Sequence, residues 1–572
     1  MSTSTLTRQP LDPEIVALAE RHQRNPEALL TILQALQAAR GSLTPPAVAE
    51  VARALNLPAA RAYGLATFYS MLAVTPAPDA RHVIRVCDGP ACWLKNASLA
   101  RAALETEFGR EWRIERTSCL GLCDRAPAGL IDGKPSGPLL SENRLIERRN
   151  WNGESRAYAR PLPGETRVLL ARVGQVNPDS IESAMQRGAY RALQKALGQS
   201  PETVLAEIEA SGLSGRGGAG FPTGRKWRAV AQARGEAKYI VCNADESEPL
   251  VFKDRVLVDS DPHQLIEGLA LAAYAVGARE GFIYIRGEYE PQAARLERAI
   301  QQAEAHGWFE HIGEHGFTLH VHRGAGAYIC GEETALLESL EGQRGEPRTR
   351  PPYPVTHGYH GQPTIVNNVE TFCNVPHIVA QGAAWYRSLS GAATPGTKIY
   401  TVLGHVNRPG LFEAPFGLTL RQIIDDFGGG MLPEAMFSFA LTGGAAGTLV
   451  PPALLDIPVD QASTVRGVAL GAGAFLICDQ TVSPVALARE LMRFFAVESC
   501  GKCTPCRIGT NEAHLILERL AEGQGRAGDL LELARLAELL QTASFCGLGQ
   551  SAALPLKSAL KHFGDIFEAC EN

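Results

Sequence analysis

The sequence predicts a multidomain protein of mixed α/β and α+β class. Its 572 residues suffice for about four domains at roughly 150 residues each. Hydrophobic strands alternate with helical segments through the middle of the chain, and helical periodicity dominates both ends. With 45% hydrophobic and 20% charged residues, each domain has enough apolar material for a core. The net charge of -6 gives no overall basic field, which argues against a nucleic acid partner.

Residues 1–75 are predicted to form an N-terminal helical segment. Thr44 before Pro45 is typical of a helix N-cap, and Asn56-Leu57-Pro58 should end that helix. A further helix is expected from Arg61 to Leu72. Short helices joined in this way also suit a helix-turn-helix DNA reader, but the mixture of acidic and basic residues presents no basic face.

Residues 76–150 are predicted to form a small α/β module with cysteines in its loops. A strand from His82 to Val86 leads into Cys87, and a strand from Trp112 to Thr117 leads toward Cys119. Asn96 to Phe108 has the pattern of an amphipathic helix, and Pro127 to Lys134 that of a hairpin with an Asp-Gly turn. A linker is expected at 151–166.

The remaining chain is predicted as three parts. Residues 167–394 alternate helices with the strands Lys238 to Cys242, Gly281 to Arg286 and Phe317 to His322, which indicates an α/β sandwich with a ligand at the strand ends. Residues 395–480 are predicted to form a small α+β domain with one helix at Leu418 to Phe427. Residues 481–572 should form a helical bundle with breaks near Gly523 and Ser544.

Targeting and membrane signals are absent from the sequence. The start of the chain lacks a basic region followed by an apolar core, and the longest helix-compatible apolar run, Gly268 to Ala278, is shorter than the ~20 residues of a membrane helix. We therefore expect a cytoplasmic protein without direct membrane insertion. In that compartment thiols stay reduced, and cysteines tend to bind metal or do chemistry.

Among the 13 cysteines, one set has the spacing of an iron-sulfur site. Cys500, Cys503 and Cys506 follow a C-x2-C-x2-C pattern that can wrap three corners of a cubane, and the remote Cys546 can close the site. This predicts a [4Fe-4S] cluster. Structural zinc is the weaker alternative, because it more often uses two separated C-x2-C pairs.

The spacing of a second set of cysteines is compatible with two kinds of metal site. Cys87 and Cys92 are separated by four residues, Cys119 and Cys123 by three, and two such pairs fit either zinc or a [2Fe-2S] cluster. The strand before each pair favours iron, since both loops can then meet at one end of the module. The other cysteines lie singly in mostly apolar surroundings and are expected to be inert core residues: Cys242, Cys330, Cys373, Cys478 and Cys570.

The glycine-rich loop from Gly215 to Trp227 is predicted to be a phosphate cradle. It contains a literal G-x-G-x-x-G, but a helical segment precedes it where a dinucleotide fingerprint requires a strand. It also lacks the Lys-Ser/Thr of a Walker A loop. Its unobstructed backbone N–H groups, together with Arg216 and Lys226, nevertheless suit a phosphate.

Three other stretches offer polar groups where a strand or loop ends. The strand that ends at Cys242 leads into Asn243-Ala244-Asp245-Glu246-Ser247-Glu248, whose amide and carboxylates suit a nucleotide or flavin; a solvated acidic loop is the alternative. The glycine-rich stretch Arg323 to Thr334 ends in a helix start. Pro363 to Thr371 offers the paired amides Asn367 and Asn368.

Five motifs, in the order in which they occur along the chain, resemble the NADH-oxidising flavoprotein subunit of respiratory complex I and its relatives. They are GRGGAGFPTGRKW, CNADESEP, GAYICGEET, PTIVNNVET and ESCGKCTPCR. The resemblance covers residues 167 to 570. Residues 10 to 150 resemble the thioredoxin-like [2Fe-2S] subunit of the same complexes, which favours iron over zinc at Cys87. Fusion of both in one chain is similar to the diaphorase subunit of soluble NAD-reducing [NiFe] hydrogenases, or to the β subunit of some NAD-dependent formate dehydrogenases.

The resemblance implies a diaphorase module with FMN, NAD(H) as substrate, one [4Fe-4S] and one [2Fe-2S] cluster. It implies a thioredoxin-like ferredoxin domain and a ubiquitin-like α+β domain. Its partners would be an iron-sulfur electron-transfer subunit and a hydrogenase or formate dehydrogenase catalytic module. A non-catalytic zinc and DNA-binding adaptor is the alternative of another class, and flavin absorption would exclude it.

The resemblance also implies a set of cofactor and substrate residues. Phe221 and Glu248 would position the nicotinamide, while hydride transfer itself belongs to FMN. Arg350 and Tyr353 depart from the lysine and phenylalanine that are usual there, so contacts to the adenine end are the part least supported by the resemblance. The implied residues are Gly215, Arg216, Gly217, Gly218, Gly220, Phe221, Lys226, Asn243, Asp245, Glu246, Ser247, Glu248, Gly331, Glu332, Glu333, Arg350, Tyr353, Val366, Asn367 and Asn368.

Overall fold

A computed structural model of the chain describes residues 10–75, 82–108, 112–146, 158–313 and 315–571. Residues 1–9 of the predicted helical segment and residues 151–157 of the predicted linker lie outside these ranges. Within them, no helix is both long enough and apolar enough to cross a membrane.

The N-terminal part is helical, as predicted, with α1 Pro13–Arg21, α2 Leu29–Arg40, α3 Pro45–Ala54 and α4 Ala59–Ala66. The Thr44 cap is confirmed, since its side-chain oxygen accepts the Ala47 N–H at 3.3 Å. The predicted extension of the last helix to Leu72 is wrong. The chain leaves the helix after Ala66 because the N–H groups of Ser70 and Met71 donate to Gly326 O and Ala325 O.

The small α/β module contains a sheet in the order β2-β1-β3-β4. Strands β1 and β2 are parallel, β3 is antiparallel to β1, and the predicted hairpin joins β3 to β4. Both parallel strands end beside cysteine loops. The elements are β1 His82–Cys87, α5 Pro90–Leu94, α6 Ala97–Phe108, β2 Trp112–Thr117, β3 Gly129–Ile131, β4 Lys134–Ser136, β5 Leu140–Ser141 and β6 Arg144–Leu145.

The middle of the chain holds a parallel sheet in the order β10-β7-β8-β9, with helices around it. All four carboxyl ends therefore meet at one edge. The elements are α7 Ile181–Gln186, α8 Arg191–Leu197, α9 Pro201–Ser211, α10 Thr223–Gln232, β7 Tyr239–Ala244, α11 Lys253–Ser260, α12 Pro262–Val276, β8 Glu280–Ile285, α13 Glu290–Ala305, β9 Thr318–Arg323, α14 Glu333–Leu340, α15 Pro354–His357, β10 Thr364–Asn368, α16 Val369–Gln381 and α17 Ala383–Ser388.

A five-stranded mixed sheet follows, in the order β12-β11-β15-β13-β14. Its strands are β11 Thr397–Gly404, β12 Gly410–Pro415, β13 Phe437–Thr442, β14 Thr448–Val450 and β15 Ala474–Asp479. The helix predicted at Leu418 to Phe427 begins instead as α18 Leu420–Gln422, where Thr419 forms a capping box, and continues as a π-helical turn over Ile423–Phe427. The Phe427 and Phe412 rings stack at 3.9 Å inside this core.

The C-terminal part is the predicted helical bundle, with α19 Pro484–Glu498, α20 Thr504–Ala521, α21 Asp529–Ala543 and α22 Gly547–Glu568. The breaks near Gly523 and Ser544 are confirmed. Cys503 and Cys546 occupy the N-cap positions of α20 and α22. Both helices thus begin at the cysteine set.

Candidate functional site

An open cavity of about 250 Å³ lies at the carboxyl edge of the parallel sheet. The loops after β7 and β9 and the end of β10 contribute to its wall, which is the place expected for a ligand in this type of sheet. Residues of the small mixed-sheet part and of α22 also reach it. Its lining includes Gly217, Asn243, Asp245, Glu246, Ser247, Glu248, Lys253, Asp254, Tyr328, Ile329, Gly331, Glu332, Asn368, Ala472, Gly547, Leu548 and Ser551.

The acidic loop after β7 is held tightly against this cavity. The Asn243 amide donates to Gly331 O at 2.8 Å, which joins the loops after β7 and β9. Asp245 is 6% exposed, and burial raises the pKa of its carboxyl well above the usual range. Burial also raises the pKa of Glu246 and of Glu248 to about 7. The predicted alternative of a solvated acidic loop is therefore wrong.

A buried charge cluster forms the floor of the cavity. Lys253 Nζ lies 2.7 Å from Asp254 Oδ1, 3.0 Å from Glu370 Oε2 and 3.1 Å from Asn368 Oδ1. The Asn368 amide in turn donates to Asp254 Oδ2 at 2.6 Å. Asn367 accepts the Trp227 indole N–H at 3.0 Å and does not line the cavity. Of the predicted amide pair, only Asn368 faces it.

The glycine loop closes one side of the cavity through its backbone. A Cβ added at Gly217 would lie 3.1 Å from Asn368 Cβ, so the loop approaches the end of β10 as closely as a glycine allows. Gly218 and Gly220 have φ of 120° and 66°, in the region that favours glycine. Gly217 is the member of this loop that lines the cavity.

The Arg216 guanidinium does not reach the cavity, contrary to the phosphate cradle predicted for its side chain. It is 1% exposed and donates to Ser214 O, Thr397 O, Pro395 O and the Tyr386 hydroxyl. With its donors used in this way, the side chain anchors the glycine loop to the rest of the fold. Sequence spacing carries no information on this orientation.

Glu248 connects the acidic loop to the mixed-sheet part. Its carboxylate accepts the Tyr328 hydroxyl at 2.6 Å and the Ala446 N–H at 3.0 Å. A Cβ at Gly444 would lie 2.4 Å from Glu248 Oε1, so a glycine is required there. A carboxyl of pKa about 7 in a ligand cavity can change charge at neutral pH.

Two exposed aromatic rings and a set of paired charges lie outside the cavity lining. Phe221 is 50% and Tyr353 is 53% exposed. Lys226 Nζ lies 5.9 Å from the Phe221 ring centre and 3.1 Å from Glu333 Oε2. Arg350 lies 3.4 Å from Glu333. Exposed rings beside fixed charges suit a flat, charged ligand that enters from solvent.

The predicted [4Fe-4S] ligands surround a second, smaller cavity. Cys500, Cys503, Cys506 and Cys546 all line it, together with Ile329, Pro347, Ser499, Lys502, Phe545 and Leu548. Arg344 donates to Cys500 O at 2.7 Å, and Lys502 lies 5.3 Å from the Phe545 ring centre. Four thiols around one apolar space fit a cubane cluster, and nearby cations favour its reduced state.

The two cavities share a wall. Ile329 and Leu548 line both the large cavity and the cysteine cavity. Leu548 is two residues from Cys546, and Ile329 is two residues from Gly331. One side-chain layer therefore separates the acidic strand-end site from the cysteine site.

The four thiols of the N-terminal module also come together. All are buried, and Cys119 Sγ lies 3.5 Å from Cys123 Sγ. Hydrogen bonds from the Cys123 and Cys87 thiols hold the pKa of Cys119 well below its usual range. The Cys92 thiol in turn interacts with Cys87. Such a set of linked thiols, one of them favoured as thiolate, fits a metal-sulfur cluster.

The single cysteines differ in burial. Cys242, Cys330, Cys373 and Cys478 are fully buried, as expected of core residues. Cys570 is only partly buried, and it packs against the edge of the core instead of lying inside it. It follows the end of α22, where its Sγ contacts Ile566 O at 3.4 Å.

Several cavity residues were missed by sequence reasoning. Lys253 and Asp254 carried a usable signal, since charged residues interrupt the apolar run Leu250 to Val258. Gly547 to Ser551 offered none beyond their position after Cys546. The predicted residues that the structure leaves outside the cavity lining are Gly215, Arg216, Gly218, Gly220, Phe221, Lys226, Glu333, Arg350, Tyr353, Val366 and Asn367.

Four family models match successive parts of the chain. They are a thioredoxin-like [2Fe-2S] ferredoxin over residues 15–145, the Nuo51 FMN-binding domain over 208–377, an SLBB domain over 399–445, and the NADH-ubiquinone oxidoreductase-F iron-sulfur binding region over 486–570. These ranges contain both cysteine sets and, apart from Ala472, the lining residues named for the large cavity. They exclude the zinc and DNA-binding alternative.

Curated relatives and a solved structure agree with these models. The F 2 subunit of NADH-quinone oxidoreductase from Rhizobium meliloti is 46% identical over 408 residues, which cover 70% of this chain and 97% of that protein. The HndC subunit of the NADP-reducing hydrogenase from Solidesulfovibrio fructosivorans is 41% identical over 71% of this chain and 83% of its own length. A crystal structure of NAD+-reducing [NiFe]-hydrogenase in the H2-reduced state matches with a TM-score of 0.83 and 34% identity, covering 96% of this chain and 94% of the other.

These matches identify the cofactors as FMN, one [4Fe-4S] cluster and one [2Fe-2S] cluster, and the activity as that of a flavin-dependent NADH dehydrogenase. The chain belongs to the family of NADH-quinone oxidoreductase F subunits and carries a thioredoxin-like [2Fe-2S] ferredoxin part before its flavin domain.

Proposed function

We propose that this chain is the NAD(H)-oxidising and NAD+-reducing diaphorase module of an NAD-reducing hydrogenase. The observation that carries the electron-transfer assignment is the wall of Ile329 and Leu548 shared by the large cavity and the cysteine cavity. The NAD+-reducing [NiFe]-hydrogenase structure matches 96% of the chain, and the match therefore includes both the ferredoxin part and the flavin part. This supports a hydrogenase as the parent complex. A formate dehydrogenase parent has no support among these relatives, and a complex I-type parent is the second candidate.

The large cavity is the proposed FMN site. Backbone N–H groups of the glycine loop can donate to a phosphate, and Asn243 fixes the loop that carries the carboxylates. The Asn368 amide holds the end of β10 at the cavity by donating to Asp254 and to Asn243 O. When bound, FMN accepts two electrons as hydride and releases them singly, which no side chain here can do. The residues proposed to hold FMN are Gly217 to Lys226, Asn243, Asp245, Glu246, Ser247, Gly331 to Glu333 and Asn368. Gly215, Arg216, Val366 and Asn367 are proposed to support the loop and the strand that carry them.

The proposed NAD(H) site combines the exposed rings and charges outside the cavity lining with Glu248 inside it. Phe221 offers an aromatic face beside Lys226, and Glu248 presents a carboxyl of pKa about 7 inside the cavity. We assign Phe221 and Glu248 to the nicotinamide end, and Arg350 and Tyr353 to the adenine end. The chain's proposed role is to orient the substrate beside the flavin; the hydride is not carried by a side chain.

The cysteines divide into the two proposed cluster sites. Cys500, Cys503, Cys506 and Cys546 would hold the [4Fe-4S] cluster on the route to a partner iron-sulfur subunit. Cys87, Cys92, Cys119 and Cys123 would hold the [2Fe-2S] cluster to the side of that route. We propose a cytoplasmic location, because these eight thiols must be reduced to bind clusters. The proposed domain boundaries are 1–75, 76–150, 151–166, 167–394, 395–480 and 481–572.

The variant Cys503→Ser tests the proposed order of the sites. The large cavity does not include Cys503, so FMN bleaching by NADH should persist while electron transfer to the partner subunit stops. Cys478→Ser is the matched control, because this buried thiol lies in strand β15 and lines neither cavity. Loss of FMN bleaching together with electron transfer in Cys503→Ser would contradict the order.

Metal analysis of the purified complex tests the parent assignment. Nickel would support the hydrogenase. Molybdenum or tungsten would instead identify a formate dehydrogenase. The absence of all three, with quinone-linked NADH oxidation, would favour a complex I-type parent.

A further inference from the structure

Arg286 connects the large cavity to the cysteine loop of the N-terminal module. It follows strand β8 and is 2% exposed. Its guanidinium donates to Glu246 O at 2.5 Å and to Cys119 O at 2.6 Å. Glu246 lines the large cavity, and Cys119 belongs to the proposed [2Fe-2S] set. One buried side chain thus holds the backbones of both sites.

The charge of Arg286 is balanced within the same bridge. Glu288 is 7% exposed and accepts from Arg286 at 2.8 and 3.1 Å. A planar guanidinium can serve the carboxylate and both carbonyls at once because its donors point in different directions. A lysine ammonium is a single point of charge and cannot span these acceptors in the same way.

Tyr289 forms a second, independent bridge between the same two loops. Its hydroxyl donates to Glu246 Oε2 at 3.0 Å. Its ring packs so closely on Gly121, between Cys119 and Cys123, that a Cβ on Gly121 would lie 1.9 Å from the Tyr289 hydroxyl oxygen. The Arg286 guanidinium lies 5.2 Å from the centre of the same ring.

Glu246 receives these contacts while it also shapes the cavity loop. Its carboxylate accepts the backbone N–H groups of Asp254 and Arg255 at 2.7 and 3.0 Å. A displacement of the Glu246 backbone would therefore move both the acidic loop and the start of α11. Anchoring of Glu246 by Arg286 and Tyr289 consequently fixes the geometry of the cavity wall.

We propose that Arg286 is a positioning residue that locks the flavin-side loop and the [2Fe-2S] loop together and supplies a fixed positive charge beside the [2Fe-2S] cluster. This inference rests on the proposed FMN and [2Fe-2S] sites. A buried cation near a cluster stabilises its reduced, more negative state. Arg286 thereby influences two centres without contacting substrate.

The variants Arg286→Gln and Arg286→Lys separate the two roles. In the full chain with all cofactors, Arg286→Gln should raise the FMN dissociation rate about tenfold, the effect of one lost charge-assisted hydrogen bond. It should also make the [2Fe-2S] midpoint potential, measured by electron paramagnetic resonance, more negative. Arg286→Lys should raise the FMN dissociation rate but leave that potential close to the wild-type value, because the charge remains.

Two further variants complete the test. Arg295→Gln is the matched control, since Arg295 pairs with Asp259 and Asp179 away from both loops, and both readouts should stay at wild-type values. Tyr289→Phe removes the hydroxyl but keeps the ring on Gly121. It should raise the FMN dissociation rate alone, and it decides the positioning role should Arg286→Gln fail to fold.

The outcomes distinguish this inference from the proposed function. Wild-type protein without flavin absorption or a [2Fe-2S] resonance would overturn the proposed function itself. Wild-type protein with both centres, together with Arg286→Gln and Tyr289→Phe variants whose FMN dissociation rates and [2Fe-2S] potentials are unchanged, would overturn the role of Arg286 alone. The [4Fe-4S] potential serves as the internal reference and should not shift in any variant.

Discussion

At the scale of single residues, the glycine loop depends on the absence of one side chain. Gly217 faces the large cavity, and a Cβ placed on it would lie only 3.1 Å from Asn368 Cβ. A Cβ at Gly215 would instead meet only backbone atoms at 3.5 Å or more. Neither residue has a positive φ. The two glycines therefore differ in the space available to a methyl group and not in backbone strain.

We expect Gly217→Ala to weaken FMN binding about tenfold, since forcing a methyl group into a close contact costs about 1–2 kcal/mol. Gly215→Ala should leave FMN binding unchanged, because its new contacts are of ordinary length. Titration of apoprotein with FMN, followed by flavin fluorescence, measures both dissociation constants. Equal weakening in the two variants would contradict the proposed position of FMN beside Gly217.

Glu248 should make NADH oxidation depend on pH. Burial raises its pKa to about 7, so the side chain is mostly protonated at pH 6 and mostly a carboxylate at pH 8. The carboxylate accepts more strongly from Tyr328 and Ala446 and thus orders the cavity wall better. We expect kcat/KM for NADH to fall below an inflection near pH 7.

Glu248→Gln tests the origin of that inflection. The amide cannot ionise, so its kcat/KM should be lower than that of the wild type at pH 8 and nearly flat from pH 6 to pH 8. Glu182→Gln is a suitable control, because this glutamate lies on α7, which contributes nothing to the cavity lining. An unchanged inflection in Glu248→Gln would assign the titration to another group.

At the scale of elements, the N-terminal helical part supports the loop that follows β9. The N–H groups of Ser70 and Met71 donate to Gly326 O and Ala325 O, and Gln34 donates to Gly324 O at 2.7 Å. The same loop continues to Ile329 and Gly331, which line the large cavity. Helices far from the cavity in sequence thus hold one of its walls.

Gly326→Ala should weaken the contact between the N-terminal helical part and the loop after β9. Its effect should be larger than the backbone strain of alanine at a positive φ explains. Gly326 and Gly361 have φ of 81° and 72°, so alanine at either position costs about 1–2 kcal/mol of backbone strain. Only at Gly326 would the new Cβ lie 2.5 Å from Ser70 Oγ; at Gly361 no atom lies within 4 Å. Gly326→Ala should therefore lower the melting temperature further and release FMN faster than Gly361→Ala. Identical effects would show that the contact between Ser70 and Gly326 is unimportant.

Elements were more predictable from sequence than side-chain directions. Strand β2 follows the predicted bounds from Trp112 to Thr117 because hydrophobic periodicity reports backbone geometry directly. The end of α4 was missed because it depends on hydrogen bonds to Gly326 and Ala325, more than 250 residues away. Arg216 was expected to face a phosphate but turns inward to Tyr386. Such choices depend on partners that only the tertiary structure brings together.

The cysteine sets also show which features of the site could be predicted from the sequence and which could not. Spacing was sufficient to group Cys500, Cys503, Cys506 and Cys546, and the structure places them around one cavity. It could not reveal that Ile329 and Leu548 line both this cavity and the large cavity. That wall depends on how the α22 N-terminus packs against the loop after β9, which no local pattern encodes.

At the scale of the whole molecule, buried ionic links join parts that are distant in sequence. Arg255 Nη2 lies 2.7 Å from Asp124 Oδ1, and these side chains are 1% and 0% exposed. Asp124 follows Cys123, and Arg255 lies on α11 beneath the large cavity. The hydrophobic core also runs without a break from the N-terminal helices through the flavin part to the C-terminal bundle. We therefore expect the molecule to unfold as a coupled unit.

A double-mutant cycle on this pair tests the coupling. Removing one member of a buried ion pair leaves the other uncompensated and costs about 3–5 kcal/mol, so Arg255→Met and Asp124→Asn should each destabilise the protein strongly. The double variant should be more stable than the sum of the single losses implies, because no lone charge remains buried. Chemical denaturation followed by flavin fluorescence and by [2Fe-2S] absorbance gives the free energy of unfolding for each part. We expect both signals to shift together in the single variants; a shift in the [2Fe-2S] signal alone would show that the ferredoxin part unfolds independently of the flavin part.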